Sequence, residues 1–357
     1  MKMVLRWFGP GHDSASLEQI RQIPGVTGIA GTLMDKQPGE VWPEDEIAAL
    51  KKQTEDAGLE LEVIESVNIH DDIKLGLPTR DGYIEAYRQT IRRLGEAGVR
   101  VICYNFMPVF DWMRTDLRKP LPDGSNTMAY EHRILAGMDD PHAIIEAFRQ
   151  GSGGYSLPGW EPERLAHIEK LFELYDGITT DRLFENLGYF LDAIMPVCEQ
   201  YDVRMAIHPD DPPWNIFGLP RVIANGESLK RLCALNKSPY NGITLCTGSL
   251  GVDANNDLPA LIRTFGDRIH FAHVRNFKRT AEKDFYECSH FSADGSLDMV
   301  EIMRALYEAA PNTYIRPDHG RMIWGEEARP GYGLYDRALG AMYLQGIWET
   351  LAENLRR

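Results

Sequence analysis

Short runs of consecutive apolar residues alternate along this chain with longer stretches whose apolar residues fall three and four apart. The short runs lie at 3–7, 25–33, 61–67, 99–105, 203–208, 243–246, 268–274 and 313–316. Several are continuous rather than strictly alternating, as expected for parallel strands covered on the outside by helices. The stretch 43–58 opens with Pro and acidic residues and closes at Gly, which are helix start and stop signals. In 79–98, Ile84, Tyr87, Ile91 and Leu94 share one helical face; Phe184, Leu187, Leu191, Ile194 and Cys198 do the same in the next long helix. Further helices are expected at 14–23, 227–235, 257–265, 297–309 and 334–354. Strand and helix repeated eight times predict an α/β fold, a (β/α)8 TIM barrel occupying 1–357 as a single catalytic domain.

Residues 107–178 break the repeat with clusters of Pro, Gly and Trp. This insertion follows the fourth strand, so it leaves from the rim where barrel active sites are built, and it reads as a lid or an oligomer contact. With the apolar final helix it points to a homo-oligomer, a dimer or higher.

Composition narrows the partners. The formal net charge is −15, with acidic residues spread along the chain and no basic stripe. That disfavours nucleic acid and anionic membrane surfaces as partners. No apolar run is long enough to cross a membrane, and the first residues lack the apolar core of a signal peptide. The five cysteines are widely spaced, without a CxxC pair; a disulfide framework is not expected, and a cytoplasmic location is.

Candidate chemistry gathers at the strand ends. His208, Cys246, His273 and Asp318 each close one of the last four apolar runs. In a barrel, side chains at the C-terminal ends of adjacent strands converge on one mouth. Each residue alone has a plain structural reading: a hydrogen-bonded rim histidine, a small buried thiol, a turn-capping aspartate. Four in succession read as one divalent-metal site, and by ligand softness zinc or ferrous iron suits it. Arg6 and Trp7, Glu65 and His70, Asn105, Asp210 and Asp211, Arg275, His319, Tyr332 and Tyr335 cluster at the same rim. Together they predict a wet, charged pocket suited to a polyhydroxylated acid.

The segments LRWFGP, QIPGVTGI, GEVWP, VIESVNIHDDIKLG, YNFMPVFDWMRTDL, HPDDPP, LCTGSLG, FAHVRN, RPDHGR and GYGLYDRALGAMYLQG run from the first strand to the final helix. Through them the chain resembles the D-mannonate dehydratase family of hexuronate (glucuronate) catabolism, within the xylose-isomerase-like barrel superfamily. The resemblance implies a hydro-lyase that converts D-mannonate to 2-keto-3-deoxy-D-gluconate with Mn2+ or Fe2+. It implies His208, Cys246, His273 and Asp318 as metal ligands and His319 as a catalytic residue. Its catalytic tyrosine falls in GYGLYDR, at Tyr332 in preference to Tyr335. Arg275, Asn105, Trp7 and Asp210 are the expected substrate-binding residues. The alternative is a metal-dependent sugar isomerase or epimerase on the same barrel.

Overall fold

Eight parallel strands close on themselves in a computed structural model that describes residues 1–136, 146 and 167–354. In chain order the strands are β1 Lys2–Arg6, β2 Val26–Gly31, β3 Glu60–Glu65, β4 Val101–Tyr104, β5 Asp116–Pro120, β6 Asn126–Tyr130, β7 Arg204–Ile207, β8 Asn241–Cys246, β9 Ile269–Val274, β10 Phe277–Arg279, β11 Phe285–Glu287 and β12 Tyr314–Pro317. The barrel runs β1-β12-β9-β8-β7-β4-β3-β2, so each of the eight expected runs supplies one of its strands.

Alternation along each strand divides the core in two. Val4, Ala30, Val63, Val101, Cys103, Ala206, Phe271 and Tyr314 fill the barrel interior as one cluster. Small residues such as Ala30 and Ala206 make room for Phe271, the large-against-small packing a closed barrel requires. The opposite faces bury Leu5, Ile29, Ile64, Ile102, Ile207 and Leu245 in the outer core. Helix ends follow local chemistry: Ser16 forms a capping box with Gln19 ahead of Leu17–Arg21, and Asp298 accepts from Val300 and Glu301 N–H at the start of Met299–Ala309. The helix expected over 43–58 spans Glu44–Asp56, and the one around 184–198 extends to Thr180–Tyr201.

Two features depart from a bare barrel. The early part of the 107–178 segment forms β5 and β6, which join β10 and β11 in an antiparallel sheet of order β10-β11-β6-β5 beside the mouth. The excursion after β9 that supplies β10 and β11 was not expected. The end of the segment forms the helix Ile168–Tyr175, and 137–145 and 147–166, part of the expected lid or oligomer contact, lie outside the described residues.

Candidate active site

The C-terminal ends of the barrel strands open into a cavity lined by Arg6, Glu65, Asn105, Trp112, Asp211 and Tyr332, with His208, Arg275, Arg316, Asp318 and His319. His208 follows β7 directly, Cys246 ends β8, His273 is the penultimate residue of β9 and Asp318 follows β12. Parallel pairing aligns these ends; Cys246 is in register with His273.

Ligand atoms of His208, Cys246 and His273 lie within 4.8 Å of one another. Asp318 stands outside that set of three, but its Oδ2 is 3.6 Å from Cys246 Sγ. The local chemistry fits a cation. His208 Nδ1 donates to the Pro209 carbonyl at 2.7 Å, which leaves Nε2 as the ligating nitrogen. The buried His273 Nε2 makes no geometrically sound hydrogen bond and faces Glu65 Oε2 at 3.4 Å, while Asp318 Oδ1 is held in an ion pair by Arg316 Nη1. The Cys246 sulfur accepts from Ser249, from the backbone N–H at 3.4 Å and from Oγ at 3.0 Å. Burial alone would raise this thiol, yet Arg275 and His208 bring it well below the ordinary cysteine value. Conversely, burial works against a charge on His208, but the Cys246 sulfur and Asp318 raise its pKa to about 9.

Around this cluster runs a buried lattice of charge. Arg275 contacts Asp318 through Nε at 2.7 Å, Asp211 through Nη2 at 2.7 Å, and Glu287 through Nη1. Gly248 permits that placement, because a Cβ there would sit 2.1 Å from Arg275 Nε. Arg316 reaches Asp318 at 2.7 Å and Glu65 at 2.9 Å. Arg114 holds Asp211 through two bonds of 2.8 and 3.0 Å and Glu287 at 2.7 Å. Burial would raise the Asp211 and Glu287 carboxyls. Arg114 and Arg275 instead hold Asp211 well below the usual range, while His319, Arg275 and Arg114 bring Glu287 down to about 2.

His319 and Tyr332 meet over the cavity. His319 Nε2 is 3.2 Å from the Tyr332 hydroxyl, and its Nδ1 is 3.0 Å from both Glu287 oxygens. Gly331 fits beneath the ring at φ +80°, where a Cβ would crowd His319 and Met128. Tyr335 is 42% exposed and packs on Trp324, so of the two tyrosines only Tyr332 lines the cavity.

The expected substrate-binding residues divide. Arg275 and Asn105 line the cavity. Trp7 does not: its indole N–H donates to the Ala15 carbonyl at 3.0 Å, and the ring borders a separate crevice with Pro10 and Leu17. A strand end alternates its side chains, and Arg6 rather than Trp7 points inward. Asp210 also turns away, accepting from Val222 and Ile223 N–H at 3.0 and 2.6 Å, while Asp211 faces the mouth. Sequence reading missed Glu287, Arg114 and Arg316. Arg316 was findable, two residues before Asp318 and on the same face of β12. Nothing local marks the other two: Glu287 arrives on β11 of the side sheet and Arg114 on the loop that leads into β5.

The fold and the site define a class: a TIM barrel whose mouth pairs metal-capable ligands with a histidine and a tyrosine. Solved barrels with sugar-related names share the architecture, among them a D-tagatose 3-epimerase-like protein (TM-score 0.54, 13% identity, 99% of this chain and 100% of that one). At that identity they show the fold alone. The model of the D-mannonate dehydratase (UxuA) family matches residues 1–357. Mannonate dehydratase from Thermotoga neapolitana is 61% identical, covering 100% of this chain and 99% of the relative. Mannonate dehydratase 1 from Halalkalibacterium halodurans is 56% identical, over 100% and 98%. The crystal structure of mannonate dehydratase from Streptococcus suis serotype2 superposes with a TM-score of 0.87 at 44% identity, covering 100% of this chain and 95% of that one. The chain belongs to the D-mannonate dehydratase family. It is thereby placed among hydro-lyases, and the isomerase or epimerase alternative is not favoured.

Proposed function

We propose that this chain removes water from D-mannonate to give 2-keto-3-deoxy-D-gluconate. His319 and Tyr332 are the proton-transfer pair, and Mn2+ or Fe2+ is the ion held by His208, Cys246, His273 and Asp318. The observation that carries the reading is the His319–Tyr332 hydrogen bond at 3.2 Å over the cavity that the metal-capable residues line. When bound, the ion supplies Lewis-acid stabilisation to a substrate carboxylate and its 2-hydroxyl.

The proton inventory follows from the side chains. Dehydration needs a base for the C2 proton and an acid for the departing 3-hydroxyl. The Tyr332 and His319 pair shares one proton, which sits on the phenol or on Nε2. With it on Nε2, the pair is a phenolate beside an imidazolium. Glu287 Oε1 stands 3.0 Å from Nδ1 of the ring, and Asp318 Oδ1 stands 3.8 Å from its Nε2. Burial pushes the phenol up to about 12, Arg316 works against that rise, and Asp318 and Glu65 add to it, so the resting proton sits on the phenol. Once the phenolic proton has moved to Nε2, the phenolate takes the C2 proton and the imidazolium gives its Nε2 proton to the hydroxyl, which leaves as water. The enol so formed becomes the 2-keto acid by losing its hydroxyl proton and gaining one at C3. Turnover leaves the pair's proton on the phenol again, and its return to Nε2 along the same hydrogen bond readies the pair.

Arg275 already meets three carboxylates, so it orders the site around the substrate. The Asn105 side-chain amide, with its oxygen engaged by Met107 N–H at 3.3 Å, is placed to meet a hydroxyl. Exposed Trp324, Tyr335, Leu339 and Met342 support a homo-oligomer, and five cysteines without a disulfide support a reducing cytoplasm. His319→Asn tests the assignment: turnover of D-mannonate is lost while bound metal is retained. Near-parental turnover would remove His319 from the reaction.

A further inference from the structure

Glu287 comes to the site from outside the barrel. It ends β11, in register with Phe277 of β10, and its carboxylate is buried at 1% exposure. The platform beneath it is stiff: Phe285 stacks on Tyr130 at 5.6 Å and 16°, and the Arg114 guanidinium lies 5.0 Å over the Phe285 ring. Oε1 accepts from Arg114 Nε at 3.1 Å, from Arg114 Nη2 at 2.7 Å and from Arg275 Nη1. Two arginines therefore fix the carboxylate, and both of its oxygens face one partner, His319 Nδ1.

An ionised carboxylate only accepts hydrogen bonds, so the ring nitrogen opposite must donate. We propose that Glu287 is a positioning residue for the dehydration: it holds the proton on Nδ1 of His319, so that Nε2 is the atom that exchanges a proton with Tyr332 and the substrate. The inference rests on the role given above to the His319–Tyr332 pair. Without the carboxylate, the neutral ring is free to carry its proton on Nε2, where it can neither accept from Tyr332 nor take the returning proton. A carboxylate behind a catalytic imidazole sets tautomer and orientation in this way without itself changing protonation. Burial alone would lift this carboxyl, but His319, Arg275 and Arg114 keep it ionised.

Glu287→Gln is the informative variant. The arginines on Oε1 retain the amide oxygen, which puts the NH2 group at the Oε2 position and against Nδ1. The NH2 group then faces Nδ1 where Oε2 accepted, while the amide oxygen stays 3.0 Å from it, so the preference for the Nδ1–H tautomer weakens. Two readouts separate this inference from the assignment of the reaction. The first is 15N chemical shifts of [15N]histidine in the full-length protein loaded with diamagnetic Zn2+, with the His319 signals identified by their loss in His319→Asn. We expect Nδ1 protonated in the parent and a shift toward the Nε2–H form in Glu287→Gln. A parent His319 with its proton on Nε2 alone overturns the proposal, whether or not D-mannonate is a substrate. The second is steady-state turnover with Mn2+. Loss of a tautomer-setting carboxylate lowers kcat by on the order of 10²–10⁴, with KM and metal content little changed, and Glu287→Asp recovers part of it. Should Glu287→Gln fold poorly, the 15N shifts of His319 in the parent carry the test alone. A kcat within about threefold of the parent in both variants overturns the proposal.

Discussion

Replacing Arg114 with Met tests whether the buried charge lattice holds the mouth together. Arg114 is fully buried, with paired bonds to Asp211 and two more to Glu287. Methionine fills much of the volume and removes the charge, leaving two buried carboxylates to share Arg275. Breaking a buried ion pair by removing one partner destabilises by about 3–5 kcal/mol, chiefly because the remaining charge is left without compensation. At about 2.1 cal/mol/K of unfolding entropy per residue, 357 residues give about 0.75 kcal/mol/K, so the midpoint should fall by about 4–7 °C. The assay is differential scanning calorimetry of parent and Arg114→Met at one scan rate and pH. Arg263→Met is the control: Arg263 pairs with Glu301 and Glu308 on the surface, where water already solvates the charges, and its loss should leave the midpoint in place. An Arg114→Met midpoint equal to that of the control would refute the view that the lattice is a structural strut.

Other consequences follow from the same geometry. Tyr332→Phe should lower kcat by on the order of 10²–10⁴, the range for loss of a general acid or base, whereas Tyr335→Phe should retain parental turnover in the same assay. Cys246→Ser should fold with a parental circular dichroism spectrum but bind Mn2+ more weakly by isothermal titration, because a hydroxyl does not supply the thiolate that Arg275 and His208 stabilise. Glu287 also predicts a pH dependence. Its carboxyl is lowered from 4.5 to about 2, so the stability it contributes is complete above pH 4.5 and is lost as pH falls toward 2. The stability gap between parent and Glu287→Gln, from urea titrations, should therefore narrow across that window; a gap constant with pH would contradict the assigned ion pairs.

The barrel was legible because parallel strands buried on both faces leave continuous apolar runs, and each expected run overlaps an observed strand. The four metal-capable residues were legible for a related reason: each sits at a strand's C-terminal end, where the topology itself brings them together. Resolution failed at single-residue steps. Trp7 and Asp210 each stand beside the residue that faces the cavity, Arg6 and Asp211, because neighbouring side chains leave the backbone in different directions. It failed again at Glu287 and Arg114. Glu287 ends the three-residue strand β11, Arg114 lies in the loop two residues before β5, and the contact between them spans 173 positions. Such a long-range contact leaves no periodic trace in the chain. Sequence favoured Tyr332 over Tyr335, and the two differ in position: Tyr332 is 4% exposed and lines the cavity, Tyr335 is 42% exposed.

The central claim is metal-dependent dehydration of D-mannonate at this barrel mouth. The direct measurement is to strip metal from the reduced protein, add D-mannonate with and without Mn2+, and follow 2-keto-acid formation with a carbonyl reagent. The account predicts no product without the ion and restored turnover with it. Absence of product with Mn2+, Fe2+ and Zn2+ alike would contradict the assigned reaction.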